Sequence, residues 1–587
     1  MCKYYSLLFA LLFSPTLSKS QSLPPERRSD WPTAGRQQAI PDYDKVINIL
    51  DFGGSGDSVI LNEIPFQHAV SSLEGKSGVI FFPAGKYLFH NPLVLRDSLI
   101  VRGEGAMLTA LYFDLGGVQR DCIVSSGVIV PDIDAVLLTQ SAMYGDTILY
   151  AVTDFQPGDF VRLQFDDSLL VFSGWARGTV GQLFDVIAVE NDEIIVNHPL
   201  RVDCDSALRP RLRKIDPVED AGLECLKIKR LDTNVSQGSN IYFEYSRRCW
   251  ITGVESELCN FSHVNFENSA HCEMYGCYAH DAFEYGGGGQ GYGLVVEHTS
   301  CDNRAQNNIF QHLRHSMLLQ SGANGNVLGY NFSTDAFWNE FPNDAAGDIV
   351  LHGNYPSYNL FEGNVCETIR PDDSHGNNGP YNTLFRNRAT NYGLIITEPN
   401  YQHALNIMGN EILPGGFLHG LYIVSGTDHL EQGNSQNGTI IPIGTPVQTD
   451  TSLYLNTLPS FLSGTNFLIG PPSAFNTASI PAKDRYFSGN EKTDCEASAG
   501  LMVDYFAPPI PTVEMDIFPN PAGASFSVFL EMTGSVEIFD LTGKQQYSAI
   551  SNDGKLHIEC GIWAAGLYII KARIGQKMCV KMLCKLP

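Results

Sequence analysis

Short apolar runs broken by glycine and asparagine fill most of the chain, and their alternation is that of strands. Between residues 45 and 105 the runs VINILDFGGSGD, GVIFFPAGKYLF and SLIVRGEG alternate apolar and polar positions and end at glycine. Among them, EIPFQHAVSSLEG sets Ile64, His68, Val70 and Leu73 at helical spacing. The pattern predicts one short helix capping a stack of strands.

Further along, the runs repeat. RCWITGV at Cys249 and HCEMYGC at Cys272 carry cysteine and glycine at the same offsets, 23 residues apart. NVLGYN at Asn326, NLFEGN at Asn359, NTLFRN at Asn382 and LNIMGN at Leu405 follow at intervals of 33, 23 and 23, and Asn308 lies in another member of the set. Such a repeat, with short strands and polar corners, describes one turn of a parallel β-helix. Apolar side chains fill the coil and asparagines stack at its corners; the longer interval accommodates a ten-residue loop. Antiparallel hairpins would show two-residue Asn-Gly or Asp-Gly turns without a fixed register. The expected fold is therefore all-β, a right-handed parallel β-helix over residues 40–500.

Two segments break the repeat. Residues 135–225, with PGDFVRLQFDD and VGQLFDVIAVENDEIIVNHPL, read as a small antiparallel β-subdomain inserted between early coils. A proline-rich linker, 507–513, precedes a tail, 514–587, whose runs suit a β-sandwich. At the other end, Lys3, an apolar run from Tyr4 to Phe13 and small residues at Ser18 and Ser20 form a secretory signal over residues 1–20. That run is too short to span a bilayer, and Cys2 precedes it, which argues against lipidation. No later segment is apolar enough for a span.

Composition narrows the function. Of 587 residues, 64 are acidic and 38 basic, and the net charge of −26 excludes phosphate backbones and anionic lipid as partners. Only 17% are charged, so asparagine, serine and glycine must supply much of the polar surface. Fourteen cysteines, thirteen after cleavage, stand at irregular spacings; Cys272-x4-Cys277 is the tightest pattern. They read mainly as buried thiols, with a disulfide left open.

The tail resembles the C-terminal sorting domain of the Bacteroidetes type IX secretion system. The likeness rests on Phe518-Pro519-Asn520-Pro521, VEIFDLTGK, Ala565-Gly566-Leu567-Tyr568 and the basic end from Lys577 to Lys585. It implies the type IX machinery as a partner, export across the outer membrane, and release or surface attachment. The N-terminal runs resemble the start of the pectate-lyase-like β-helix superfamily, whose members are mostly polysaccharide lyases and glycoside hydrolases. The usual Gly-Asp-Gly and Asp-Asp-Thr are degraded here to Gly56-Asp57-Ser58 and Leu61-Asn62-Glu63.

Candidate chemistry concentrates between residues 278 and 388. Catalytic candidates are His280, Asp281, Glu284, His312, Arg314, His315, His352, Asp372, Asp373 and His375. Asp348 joins the acids. Tyr285, Tyr292, Tyr355, Tyr358 and Tyr381 offer stacking surfaces, and Arg304, Arg386 and Arg388 offer cations. Coils stack at about 4.8 Å, so polar residues of successive repeats can converge on one groove. A hydrolase needs two carboxylates; a lyase acting on uronic acids needs a cation and a base such as His312, His315 or His375. Neither branch's full signature is present. The lyase branch's calcium-binding carboxylates have no counterpart at a matching spacing, so Ca2+ stays open and no metal or cofactor is fixed. The primary expectation is a secreted lyase or glycoside hydrolase cleaving a polysaccharide, an acidic or a marine or plant-wall glycan, in a groove along the coils. A non-catalytic glycan-binding surface protein and a tailspike-like structural β-helix are the alternatives.

Overall fold

The computed structural model describes residues 23–495 and 515–586, except 42, 44, 234–236, 401, 472–477, 521, 531–532, 541–543, 553 and 575–576. The expected signal peptide (1–20) and the expected proline-rich linker (507–513) lie outside the described residues. The chain divides into two units, 1–498 and 499–587.

The first unit is a parallel β-helix. A coil contributes three strands, for example Trp250–Thr252, Glu255–Cys259 and Ser262–Glu267. The next turn supplies Glu273–Tyr275, Tyr278–Ala282 and Tyr292–Glu297. Equivalent strands pair in parallel, with Trp250 opposite Glu273, Glu255 opposite Tyr278 and Val264 opposite Leu294. Three sheets result, called first, second and third in the order each coil visits them. The first has twelve strands, from Val46–Asn48 to Leu430–Gln432. Alternation sends Ile251, Met274, Leu328 and Leu384 of the first sheet, and Val264, Leu294 and Met317 of the third, into one shared core.

Asparagine settles the corners as the repeat predicts. Asn303, Asn326, Asn359 and Asn382 form one ladder, each Nδ2 donating to the next Oδ1 at 2.9–3.0 Å. Asn308, Asn331, Asn364, Asn387, Asn410 and Asn434 form a second at 2.8–3.1 Å. Each Oδ1 also accepts the backbone N–H of the preceding coil's asparagine, so buried corner amides are satisfied.

A helix, Glu63–Ser71, closes the N-terminal end. It buries Phe66 and Ala69, with Leu73 just beyond it, rather than a stripe through Ile64, which is 58% exposed. The bulky Phe66 ring takes the core, where it stacks on Phe82.

The inserted domain leaves the coils after Ser126 and returns at Val218–Glu219, beside Ser246–Arg247. Its seven antiparallel strands run from Val128–Ile129 to Arg211–Asp216, so residues 217–225 belong to the coils rather than to the insertion. It has a core of its own around Phe165, Phe184 and Val196. Phe160, Leu183 and Ile215 dock it against Ala270 and Cys301, at the corner between the third and first sheets.

Two arms cover the first sheet's outer face. Leu23, Trp31 and Ala34 precede the coils, and Tyr454, Leu462, Phe467 and Ile480 follow them; both groups pack on Val327, Tyr330, Leu360 and Phe385. Twelve cysteines are described as free thiols and ten of these are buried, Cys272 and Cys277 in the coil core. Among the described residues, no helix is long and apolar enough to cross a membrane.

The second unit holds a three-stranded antiparallel sheet, Met515–Phe518, Ser525–Leu530 and Lys555–Glu559. A four-stranded antiparallel sheet, running from Gly534–Asp540 to Lys577–Lys585, completes it. Phe526, Val528, Val536, Ile538 and Ile570 form its core.

Candidate active cleft

Third-sheet strands bury every second residue, so the residues between face outward. One outward column is Tyr242, Asn265, Val295, Leu318 and Val350. A second is Glu244, Glu267 and Glu297, continued at the next strand ends by Gln320 and His352. The inserted domain supplies one wall of the cleft in front of these columns. Its Trp175 lies 5.8 Å from the His298 ring and 5.3 Å, edge-on, from His375. The opposite wall is Arg314 with the loop of Gly288 and Gly289, which Gln237 holds through the Gly288 carbonyl at 3.1 Å. The cleft encloses about 730 Å³.

Its polar groups are held in fixed positions. Tyr242 donates to Glu267 Oε2 at 2.7 Å, and His298 Nδ1 lies 2.6 Å from Glu267 Oε1. Glu297 accepts from Asn265 at 2.9 Å and from Gln320 at 2.7 Å. His352 Nδ1 lies 2.9 Å from Asp372, and its ring meets the edge of His375 at 4.9 Å.

The carboxylates are driven apart. Burial, reinforced by the Glu267 charge, raises Glu244. Burial also opposes charge on Glu267, but His298 outweighs it and holds that carboxyl below its usual range. His298 is correspondingly raised: burial disfavours its charge, and Glu297 and Glu267 overcome that. Asp121, on the same rim, is raised by burial. Asp372 is held at about 2, because His352 beside it outweighs its burial.

Of the residues singled out in the sequence, Tyr292, Arg314, His352 and His375 line this cleft. Asp372 supports it through His352, with Asp373 next to it in the same loop. His315 does not line it. The imidazole is buried behind Tyr292, its Nδ1 lies 2.9 Å from the Gly347 carbonyl oxygen, and burial pushes it down to about 3. Asp348 is likewise buried, accepting from Ser333 and from the Glu367 and Thr368 amides.

A second group belongs to another face. His280 pairs with Asp281 at 2.8 Å and Glu255 at 3.2 Å on the second sheet. His312 pairs with Asp335 at 2.9 Å, its ring against Tyr285 and Phe337. Glu284 is exposed at the start of the glycine loop. The separation has a backbone cause. Asp281 and His312 take left-handed φ values of 60° and 53°, turning the chain from the second sheet to the third. His312 and His315 thus fall on different faces.

The three arginines are corrected outright. Arg304 pairs with Glu273 at 3.0 Å under the N-terminal arm, where Gly35 leaves room for it. Arg386 is buried and donates to the Gln448, Asp450 and Ile469 carbonyls. Arg388 pairs with Glu411 at 2.6 Å and donates to the Ala478 carbonyl. All serve to hold the arms. Tyr355 and Tyr381 line a different cavity of about 460 Å³, with Tyr144 and Tyr358.

Sequence reasoning missed Tyr242, Glu267, Glu297, His298 and Trp175. A signal existed for two of them, Glu267 and Glu297: FEYS (243–246), FENS (266–269) and VEHT (296–299) repeat Glu at the same offset, the first two 23 residues apart. The residues coordinating an ion would include histidine: the described groupings close enough to share one are His198, His271 and Asp302, and Glu255, Glu257 and His280. Imidazole is not a Ca2+ donor. In the second grouping, Lys227 and Lys229 already pair with the two carboxylates.

Fold and cleft are those of a parallel β-helix with a polar groove on its third sheet, and two stretches of the chain are similar to known families. Residues 46–148 match the family described as rhamnogalacturonase A/epimerase, pectate lyase-like, and residues 516–585 match the secretion system C-terminal sorting domain. The sorting domain marks the chain for secretion. No curated protein matches the sequence. Among solved structures, the tailspike protein gp49 of Pseudomonas phage LKA1 is similar at 16% identity and a TM-score of 0.44, over 62% of each chain. The match thus spans about three-fifths of that tailspike. The Gp54 tailspike of Acinetobacter baumannii bacteriophage AP22, solved with A. baumannii capsular saccharide, is 10% identical with a TM-score of 0.31, over 70% of this chain and 82% of its own. The A-module of the Azotobacter vinelandii mannuronan C-5 epimerase AlgE4 is 12% identical with a TM-score of 0.30, over 64% and 79%.

Proposed function

We propose that the protein is an exported enzyme that cleaves an acidic polysaccharide laid along the third sheet, between Trp175 and Arg314. The observation that carries this is the stacked set Glu244, Glu267 and Glu297, in which neighbouring carboxyls are pushed in opposite directions. Groups with divergent proton affinities divide the acid and base roles of glycan cleavage. Glu267, whose carboxyl gives up its proton more readily and is oriented by Tyr242 and His298, is the base; Glu244, which holds its proton more tightly, is the acid. Arg314 bonds the Gly286 carbonyl, its Nε is buried without a partner, and it makes no ion pair among the described residues, leaving it to meet a sugar carboxylate. Trp175 stacks on a sugar ring. The sorting domain delivers the enzyme to the cell exterior, free or surface-attached, where such polymers occur.

Incubation of the purified chain with a panel of acidic and neutral polysaccharides tests this. A new conjugated double bond seen by ultraviolet absorbance identifies elimination; reducing ends without it identify hydrolysis. Glu267→Gln should lower either rate by at least about 100-fold. Retention on glycans with no cleavage of any polymer would establish a binding protein instead.

A further inference from the structure

The corner joining the third sheet to the first places Arg248, His271, Asp302 and Gly325 one above another, next to bridged residues of successive coils. All four have left-handed φ, between 55° and 68°. The inserted domain meets this column with the loop that carries His198 and Arg201. Arg201 fits because position 325 is glycine: a Cβ there would stand 2.4 Å from its Cζ. Its guanidinium donates to both oxygens of Asp302, to Asn324 Oδ1 at 2.9 Å and to Ser29 at 2.7 Å. His198 is thereby set over His271, the rings 5.4 Å apart at 33°. A ring nitrogen of each and a carboxylate oxygen of Asp302 all lie within 4.8 Å of one another. His198 is only 7% exposed, and its Nδ1 is buried with no hydrogen-bond partner. An unsatisfied buried polar atom of this kind calls for a ligand.

We propose that His198, His271 and Asp302 bind a divalent transition metal, zinc by the chemistry of the donors, and that the ion pins the inserted domain to the coils. Two imidazoles and one carboxylate make a three-ligand zinc set with one position left for water. Arg201 occupies one lone pair on each Asp302 oxygen, and a carboxylate retains others for the ion. The guanidinium plays the orienting part that outer hydrogen-bond partners play at metal sites. Its positive charge keeps the affinity below that of a closed structural zinc site. The ion would join two elements far apart in sequence, and the domain it anchors carries Trp175, a wall of the cleft.

The test uses the full chain without a histidine tag, stripped with chelator and dialysed against zinc chloride or calcium chloride, with metal content read by mass spectrometry. One zinc per chain is expected for the wild type and for His280→Ala, with none for His271→Asn or His198→Gln. Asparagine tolerates the left-handed backbone at 271, so the first variant should keep its near-ultraviolet circular dichroism. Zinc should raise the wild-type melting temperature and leave that of His271→Asn unchanged. Cobalt should give intense visible bands of tetrahedral coordination in the wild type and lose them in His198→Gln. Absence of zinc uptake by the wild type, or uptake by both histidine variants equal to that of the wild type, overturns the proposal.

Discussion

His298 Nδ1 lies 2.6 Å from Glu267 Oε1, reaching back one coil along the edge of the third sheet. Burial disfavours charge on both, yet the contact lowers the carboxyl and raises the imidazole. A raised imidazole contributes stability fully below its ordinary 6.5 and loses it as pH rises through the raised value. A lowered carboxyl contributes above its ordinary 4.5 and loses it as pH falls through the lowered value. The pair is therefore most stabilising between those two values. The urea midpoint of His298→Gln should trail the wild type by more at about pH 5.5 than at about pH 9. An equal deficit at both would remove the charged pair from the account.

Trp175 is half exposed and belongs to the inserted domain, so its loss should barely touch the coils. Under the proposed activity, Trp175→Ala should raise KM by about threefold to tenfold, with kcat within about twofold. Steady-state kinetics on the cleaved polymer decide it. A fall in kcat at constant KM would mean the ring acts on the transition state instead.

Asn364 accepts from the Asn331 amide and side chain and donates to the Leu328 carbonyl and to Asn387. Asn364→Ala leaves these buried partners unmatched and should cost about 2–4 kcal/mol. Asn490→Ala, at an exposed position, should stay within about 0.5 kcal/mol. Chemical denaturation of both variants checks the contrast.

Arg386 ties the C-terminal arm to the coil through backbone carbonyls. Arg386→Gln should free that arm while the stack persists. Proteolysis between residues 448 and 471 should accelerate by at least about tenfold, with circular dichroism of the strands unchanged. Unaltered cleavage would show that the apolar contacts of Tyr454 and Phe467 suffice.

The β-helix was legible because a stacked asparagine must recur wherever a coil returns to the same corner. The interval between Asn359 and Asn382 is therefore a direct trace of the stack. Helix rotation at the N-terminus was not legible, since Ile64 and Phe66 are equally apolar and only the coil's shape selects the ring. The cleft was read in part. His352 and His375 were found by local density of polar residues, but density along one dimension does not say which of three faces a residue joins. His280 and His312 went to the second sheet for that reason, and Arg386 and Arg388 went beneath an arm that lies far away in sequence. Glu267 and His298 lay outside the dense stretch or looked like ordinary strand ends, and Trp175 reaches the cleft only through the docking of the inserted domain.

The ladder bond from Asn331 to Asn364 spans 33 residues at 3.0 Å, and the next, from Asn364 to Asn387, spans 23 at 2.8 Å. The rail is indifferent to how much chain lies between its rungs. Extra residues can bulge out of any coil without shifting the alignment of the coils on either side. Cleft walls can then be lengthened, shortened or exchanged while the floor of Asn265, Glu267 and Glu297 keeps its place.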